Sequence, residues 1–298
     1  MCANREYKDS VFTTLFNDTD NLLSLYNAVT GNALPPGTQM KIATLEDVLF
    51  DGRRNDIAFV VEGKLVILIE HQSTINENMP LRLLIYLARV YEKLIYNDAV
   101  YRRTLLKIPK PDFIVLYNGE DQFPDERTLR LSDAYEEYHE AFSELGGSLE
   151  LEVRVVNINE GRNEAVVNKS EALRGYVAFI GKVRANIASG IDLTQAVTQA
   201  VKDCIGEGIL EEFLNNHSSE VINMLTTEWN IERAKVVWEQ EGIEKGLEEG
   251  MKKGVKRGIK KTQRQIVLEM KKEGFSDDMI SKITKLPVES ICKIYSKS

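Results

Sequence analysis

Hydrophobic and polar positions fall into patterns that change character twice along the chain. Over the first 30 residues Val11, Phe12, Leu15, Phe16, Leu22, Leu23 and Leu25 supply an apolar stripe behind Asp9 as an N-cap, which predicts a helix. Thr30-Gly31-Asn32 and Pro35-Pro36-Gly37 end it, and Met40–Phe50 is mixed enough to be strand or loop. Two β-branched-rich runs follow, Asp56–Val61 and Leu65–Ile69, separated by Glu62-Gly63-Lys64, and they read as a hairpin. Both are apolar on nearly every position, as strands are when helices cover the sheet on two sides. Pro80 suits the first position of a helix over Leu81–Tyr96. Asp112–Tyr117 and Leu149–Ile158 are further strands, and the alternation of the second suits a half-exposed edge.

Beyond about residue 165 the strand signal vanishes, and helical patterns cover roughly 170–188, 192–204, 207–216 and 218–227. After Trp229 glycine recurs every fourth residue, at Gly242, Gly246, Gly250, Gly254 and Gly258. A four-residue period advances about 400° on a helix, so the glycines drift slowly around it. Five interior glycines cost a helix about 4–5 kcal/mol against alanine. Either close helix-to-helix approach in an oligomer compensates that cost, or the segment is a flexible linker. The end of the chain, around Gly274-Phe275 and Leu286-Pro287, predicts two or three short helices whose spacing resembles a small helix-turn-helix, a pattern any helical hairpin shares. The expected architecture is α/β, a mixed central sheet flanked by helices over 1–165, with an all-helical C-terminal extension. That extension divides into a helical region at 166–228, the glycine repeat at 229–262 and a small helical tail at 263–298.

Composition narrows the class without naming an activity: 298 residues, 43% apolar and 28% charged, exclude disordered and fibrous chains. The formal charge of −8 hides an asymmetry. From Lys252 to Ser298 there are 13 Lys/Arg against 5 Asp/Glu, net +8, so residues 1–251 carry −16. A basic tail on an acidic body suits phosphate contacts, and equally a solvated helix. The start, MCANREYKDS, lacks a signal-peptide n-region, and no run approaches the roughly 18 apolar residues of a spanning helix, so a cytoplasmic protein without a membrane partner is expected. Cys2, Cys204 and Cys292 are too scattered for a disulfide framework, and His71, His139 and His217 have no metal-ligand spacing, which argues against zinc.

Two carboxylates stand at the mouths of the hairpin strands, Asp56 and Glu70, with Gln72 two residues further on. With an odd loop centred on Gly63, Asp56 pairs with Glu70 and their side chains share one face about 5 Å apart. Oxygens at about 2.1 Å from such a pair suit Mg²⁺ or Mn²⁺ and leave positions open for phosphate and water. A strictly two-residue turn at Glu62-Gly63 would instead put the acids on opposite faces and disrupt that site. Taken singly, each acid is also what a loop end or an emerging strand would show.

Tyr7-Lys8-Asp9, Arg54-Asn55-Asp56-Ile57, Ile69-Glu70-His71-Gln72-Ser73, the run from Met79-Pro80 to Tyr86, Leu116-Tyr117-Asn118-Gly119 and the glycine repeat follow one another in order. This ordered set closely resembles the Rpn family of recombination-promoting nucleases and putative transposases, within the PD-(D/E)XK superfamily. The resemblance implies a restriction-endonuclease-like core and metal-dependent cleavage of double-stranded DNA, linked to recombination, mobile elements or defence. It assigns Asp56 and Glu70 as catalytic metal-binding acids and Gln72 to the position usually held by lysine. Glutamine orients water or a phosphate oxygen by hydrogen bonds but supplies no fixed charge, so slow turnover is expected. Arg82, Tyr86, Arg89 and Lys93 form a polar and basic stripe that suits either a DNA backbone or solvent, and Arg54 would contact the scissile phosphate or neutralise Asp51. Two functions remain open: an endonuclease, or a nuclease-fold DNA-binding or regulatory protein with little catalysis. Strand transfer is not expected, since no third acid has a supporting motif. A homodimer through the glycine-lined helix suits the cutting of two strands.

Overall fold

The structure is a computed structural model that describes residues 8–45, 53–54, 56–71, 76–95, 97–136 and 149–295. Two compact units divide the chain, Met1–Glu228 and Trp229–Ser298. In the first, β1 (Lys8–Asp9) runs into α1 (Val11–Phe16) and α2 (Thr19–Thr30), in place of one continuous helix. The N-cap is Ser10, not Asp9: its hydroxyl accepts from the Thr13 amide while the Thr13 hydroxyl accepts from the Ser10 amide, a reciprocal capping box. Asp18 then caps α2 by accepting from the amides of Asp20 and Asn21.

The sheet is built from β2 (Lys41–Ile42), β4 (Asp56–Val61), β5 (Lys64–His71), β6 (Lys110–Tyr117), β7 (Glu126–Arg130) and β8 (Glu152–Asn157). Their order across it is β2-β4-β5-β6-β8-β7, while β3 (Arg53–Arg54) pairs separately and in parallel with β1. The central strands β5, β6 and β8 are parallel, and β2, β4 and β7 run antiparallel to their neighbours. On one face α3 (Met79–Leu94) lays Met79, Leu83, Tyr86 and Val90 against Ala58, Leu65, Ile67, Ile69, Val115 and Val155. On the other, α2 packs Tyr26 edge-on against Phe59 at 5.8 Å, and Phe12 of α1 meets Tyr176 of α5 (Glu171–Ala188) at 5.7 Å. The short α4 (Glu164–Val167) precedes α5, and α6 (Leu193–Gly206) pairs with it.

The strand at 152–157 is not an edge. It lies between β6 and β7, and its outward polar positions are cross-strand ion pairs: Arg154 donates to Glu126 at 2.6 Å, and Arg130 to Glu152. The covering strand β7, Glu-Arg-Thr-Leu-Arg, carries one buried residue, Leu129, and so has almost no hydrophobic signature. The predicted helices 207–216 and 218–227 are likewise one element with the glycine repeat: α7 is continuous over Glu211–Lys272. In the second unit α7 ends in a small bundle in which Val267 packs with Ile280 of α8 (Asp277–Thr284) and Ile291 of α9 (Val288–Tyr295).

The hairpin turn decides the register of the sheet's centre. Val61 pairs with Lys64, leaving Glu62 (φ 47°) and Gly63 (φ 73°) as a two-residue turn with both central residues left-handed, the type I′ conformation. Asp56 is therefore opposite Ile69, not Glu70. Glutamate has no special tolerance of that conformation, which costs a side-chain-bearing residue about 1–2 kcal/mol. Glu62→Asn, giving the favoured Asn-Gly turn, is expected to raise unfolding stability by about 1 kcal/mol in urea titration; an odd-numbered loop would show no gain.

Candidate functional site

Asp56 opens β4 and is only 6% exposed. Strand alternation puts it in the pleat of Ala58, on the face that α3 covers. A carboxyl held there is out of water, so its charged form needs a partner from protein or ligand. Glu70 sits one step beyond Ile69 in β5, opposite Leu116 of β6, with the backbone alone described. Positions 56 and 70 thus occupy alternate pleats, and the expected same-face pairing is not formed, because the two-residue turn shifts the register by one. What the two positions share is an end of the sheet. Asp56 begins β4 where the antiparallel β5 finishes at His71, and Gln72 follows there, outside the described residues.

That end is also where β6 and β8 finish, since Glu70-His71 pairs with Leu116-Tyr117 and Tyr117 with Asn157. The carboxyl ends of parallel strands are where open α/β sheets place their ligands. Here they are braced by a polar network that the sequence pattern did not reveal. Arg184 of α5 donates to the Asn118 carbonyl, to Asn118 Oδ1 at 3.2 Å and to Asn159 Oδ1 at 2.9 Å. Asn159 Nδ2 donates to the Gly119 carbonyl at 3.0 Å and to Asn157 Oδ1 at 2.9 Å, and Asn163 Nδ2 to the Asn157 carbonyl at 2.9 Å. Asn118 is 1% exposed. Gly119 has its own reason: a Cβ there would lie 2.6 Å from the Tyr117 ring, which turns back to donate its hydroxyl to the Asp121 carbonyl at 3.0 Å. Burial, helped by the Asp121 carboxylate, raises the Tyr117 phenol above its ordinary pKa, so it stays a donor. The one available clue was Asn118-Gly119, which as a sequence marks no more than a strand end.

The basic stripe of α3 needs correction. Tyr86 is not on a polar face: it is 1% exposed in the core, with its hydroxyl 3.5 Å from the Leu45 amide. It therefore separates Arg82, which is half-buried, from the exposed Arg89 and from Lys93, whose ammonium donates to the Thr44 carbonyl at 3.0 Å. For Arg54 the backbone is described, in β3 two residues before Asp56. Burial pushes the Cys204 thiol up to about 11, so it is protonated at neutral pH and is no nucleophile. Among the described residues no group of three His, Cys, Asp or Glu side chains is placed to hold a metal; the side chains of Glu70 and Gln72 lie outside the described ones. No described helix is long and apolar enough to cross a membrane.

A family model described as "Putative transposase, YhgA-like" matches residues 43–203, more than half of the chain and nearly all of its sheet. No curated protein and no solved structure matches. Inside the matched span, Arg184→Ala is expected to cost about 2–3 kcal/mol, because it strips a charged donor from buried Asn118. Equilibrium denaturation measures this, and a loss below about 0.5 kcal/mol would show that the network does not brace the strand ends.

Proposed function

The chain belongs to the family of YhgA-like putative transposases, and from that premise we propose that it is a metal-dependent DNA endonuclease on a restriction-endonuclease-like core, with its site at the open end of the β4–β5 hairpin. The observation that carries this reading is Asp56: a carboxylate nine-tenths buried at a strand mouth, at the end of the sheet where three parallel strands also finish. The two-residue turn moves the proposed site from the face of the hairpin to its end, where Asp56 and Glu70 flank the same opening from alternate pleats.

Asp56 and Glu70 are the residues proposed to hold Mg²⁺ or Mn²⁺. An oxygen-only donor set suits such hard cations, and Asp56, the described half of it, fits, being a carboxylate whose buried charge a cation offsets. When bound, the metal supplies an activated water and offsets the charge that develops on the phosphate. Gln72 is proposed to orient that water or a phosphate oxygen through its amide, in the place of a lysine. Arg54, Arg82 and Arg89 are proposed to meet the phosphate backbone of double-stranded DNA, Arg89 being the most exposed of the described ones. Tyr86 drops out of that surface.

A second reading, a nuclease-fold DNA-binding or regulatory protein with little catalysis, is favoured by the same register, which denies Asp56 a cross-strand carboxylate partner, together with glutamine at position 72. Plasmid nicking by the purified protein separates the two. On the endonuclease reading Asp56→Asn and Glu70→Gln each abolish Mg²⁺-dependent nicking, and the double variant is no worse than either, since groups acting as one unit are not additive. Gln72→Ala loses about tenfold to a thousandfold, as for one neutral donor near a developing oxyanion. Full Mg²⁺-dependent nicking by Asp56→Asn would put the metal on other carboxylates, and binding without any nicking by the unaltered protein would leave the regulatory reading.

A further inference from the structure

In α7 each glycine of the repeat is followed by an aliphatic residue: Ile243, Leu247, Met251, Val255 and Ile259. These five side chains are 54–65% exposed, and a Cβ built on any of Gly242, Gly246, Gly250, Gly254 or Gly258 would meet nothing within 4 Å. Among the described residues nothing covers this face. A helix that sets an aliphatic ridge beside a glycine groove, both along the four-residue rows, has the kind of surface that ridge-into-groove packing uses.

The charges select the occupant. From Glu239 to Glu249 there are five glutamates and one lysine, net −4, and from Lys252 to Arg264 seven cations, net +7. A parallel partner of the same sequence would set acid on acid and base on base, whereas an antiparallel one sets each half against its opposite. One antiparallel register satisfies the whole repeat. Centred on the Gly250–Met251 junction, it places Met251 over the partner's Gly250, Leu247 over the partner's Gly254 and Ile243 over the partner's Gly258. The same register sets the acidic half, with Glu244, Glu248 and Glu249, alongside the partner's basic half, with Lys252, Lys253, Lys256 and Arg257. This complementarity adds to the pairs already made within the helix, Glu248 with Lys252 at 2.5 Å and Glu249 with Lys253 at 3.1 Å.

We propose that residues 242–259 form a self-association surface, on which a second copy of this chain packs antiparallel with its aliphatic ridge in the glycine groove. The inference is independent of the endonuclease reading.

The test uses the full chain in sedimentation equilibrium at micromolar concentration, where a dimer is expected. Filling the groove with Gly246→Gln, Gly250→Gln and Gly254→Gln should give monomers although glutamine is the better helix former, so helicity by circular dichroism should hold or rise. Removing the ridge with Leu247→Gln and Val255→Gln should do the same. For the direction, a single cysteine is placed in a Cys2→Ser, Cys292→Ser background. A bismaleimide spanning about 10 Å should link two Lys252→Cys chains, whose labelled positions lie near the crossing. It should not link two Glu244→Cys chains, which stand about 20 Å apart along the axis. A monomeric parent chain, a dimer that survives both sets of substitutions, or efficient Glu244→Cys linkage would each overturn the proposal. So would association seen only with duplex DNA present, which would assign the face to nucleic acid.

Discussion

The two-residue turn at Glu62-Gly63 is the constraint on which the centre of this structure depends. Side chains alternate along a strand with a period of two, so a turn shorter by one residue moves every cross-strand pairing by one position and exchanges faces. With Val61 opposite Lys64, the α3 face receives Ala58, Leu65, Ile67 and Ile69, and Ile57, Phe59, Val66 and Leu68 go to the other layer. All eight are buried. The turn fixes the pairing, and the acids at the strand mouths take the positions that follow from it. Asp56 ends up inside, opposite Ile69, and Glu70 falls one step further along.

The same geometry is why we propose the end of the sheet, and not its face, as the place for chemistry. Three parallel strands deliver their last residues there, and Arg184, Asn118, Asn157 and Asn159 tie two of those ends to α5 and to one another. A site on strand termini needs such bracing, because catalytic groups must be held more firmly than a free loop would hold them. Membership in the YhgA-like transposase family points to DNA transactions, and the metal-dependent phosphodiesterase site we propose rests on a buried carboxylate at the same end of the sheet as the braced termini of β6 and β8.

Much of this was legible in the chain. The β4 and β5 runs, the helix opened by Pro80, the strand at 112–117 and the helices at 171–188 and 193–206 follow from periodicity and breakers, because in each the burial demand and the local propensity agree. What was not legible had a physical cause in each case. β7 is held by cross-strand ion pairs and one leucine, so it carries no hydrophobic period, and without it β8 reads as an edge. Tyr86 has a polar tip and a buried ring, and its spacing cannot tell which governs. The Arg184 network joins residues far apart in sequence, with no local signal. The hairpin register turned on whether Glu62 would accept a left-handed backbone, a choice that tertiary burial makes against its own preference. The candidate acids themselves were found from sequence; their relation to each other across the strands was not.

Backbone amide spectra of the full chain titrated with Mn²⁺ test the central claim most directly, because paramagnetic broadening marks where the ion sits without any appeal to cleavage. A metal at the open end of the hairpin predicts selective loss of the signals of Asp56, Ile57, Ile69 and Glu70, with those of Glu62 and Gly63 at the turn retained. Broadening centred on the turn or on the helical C-terminal region, with Asp56 and Glu70 unaffected, would contradict it.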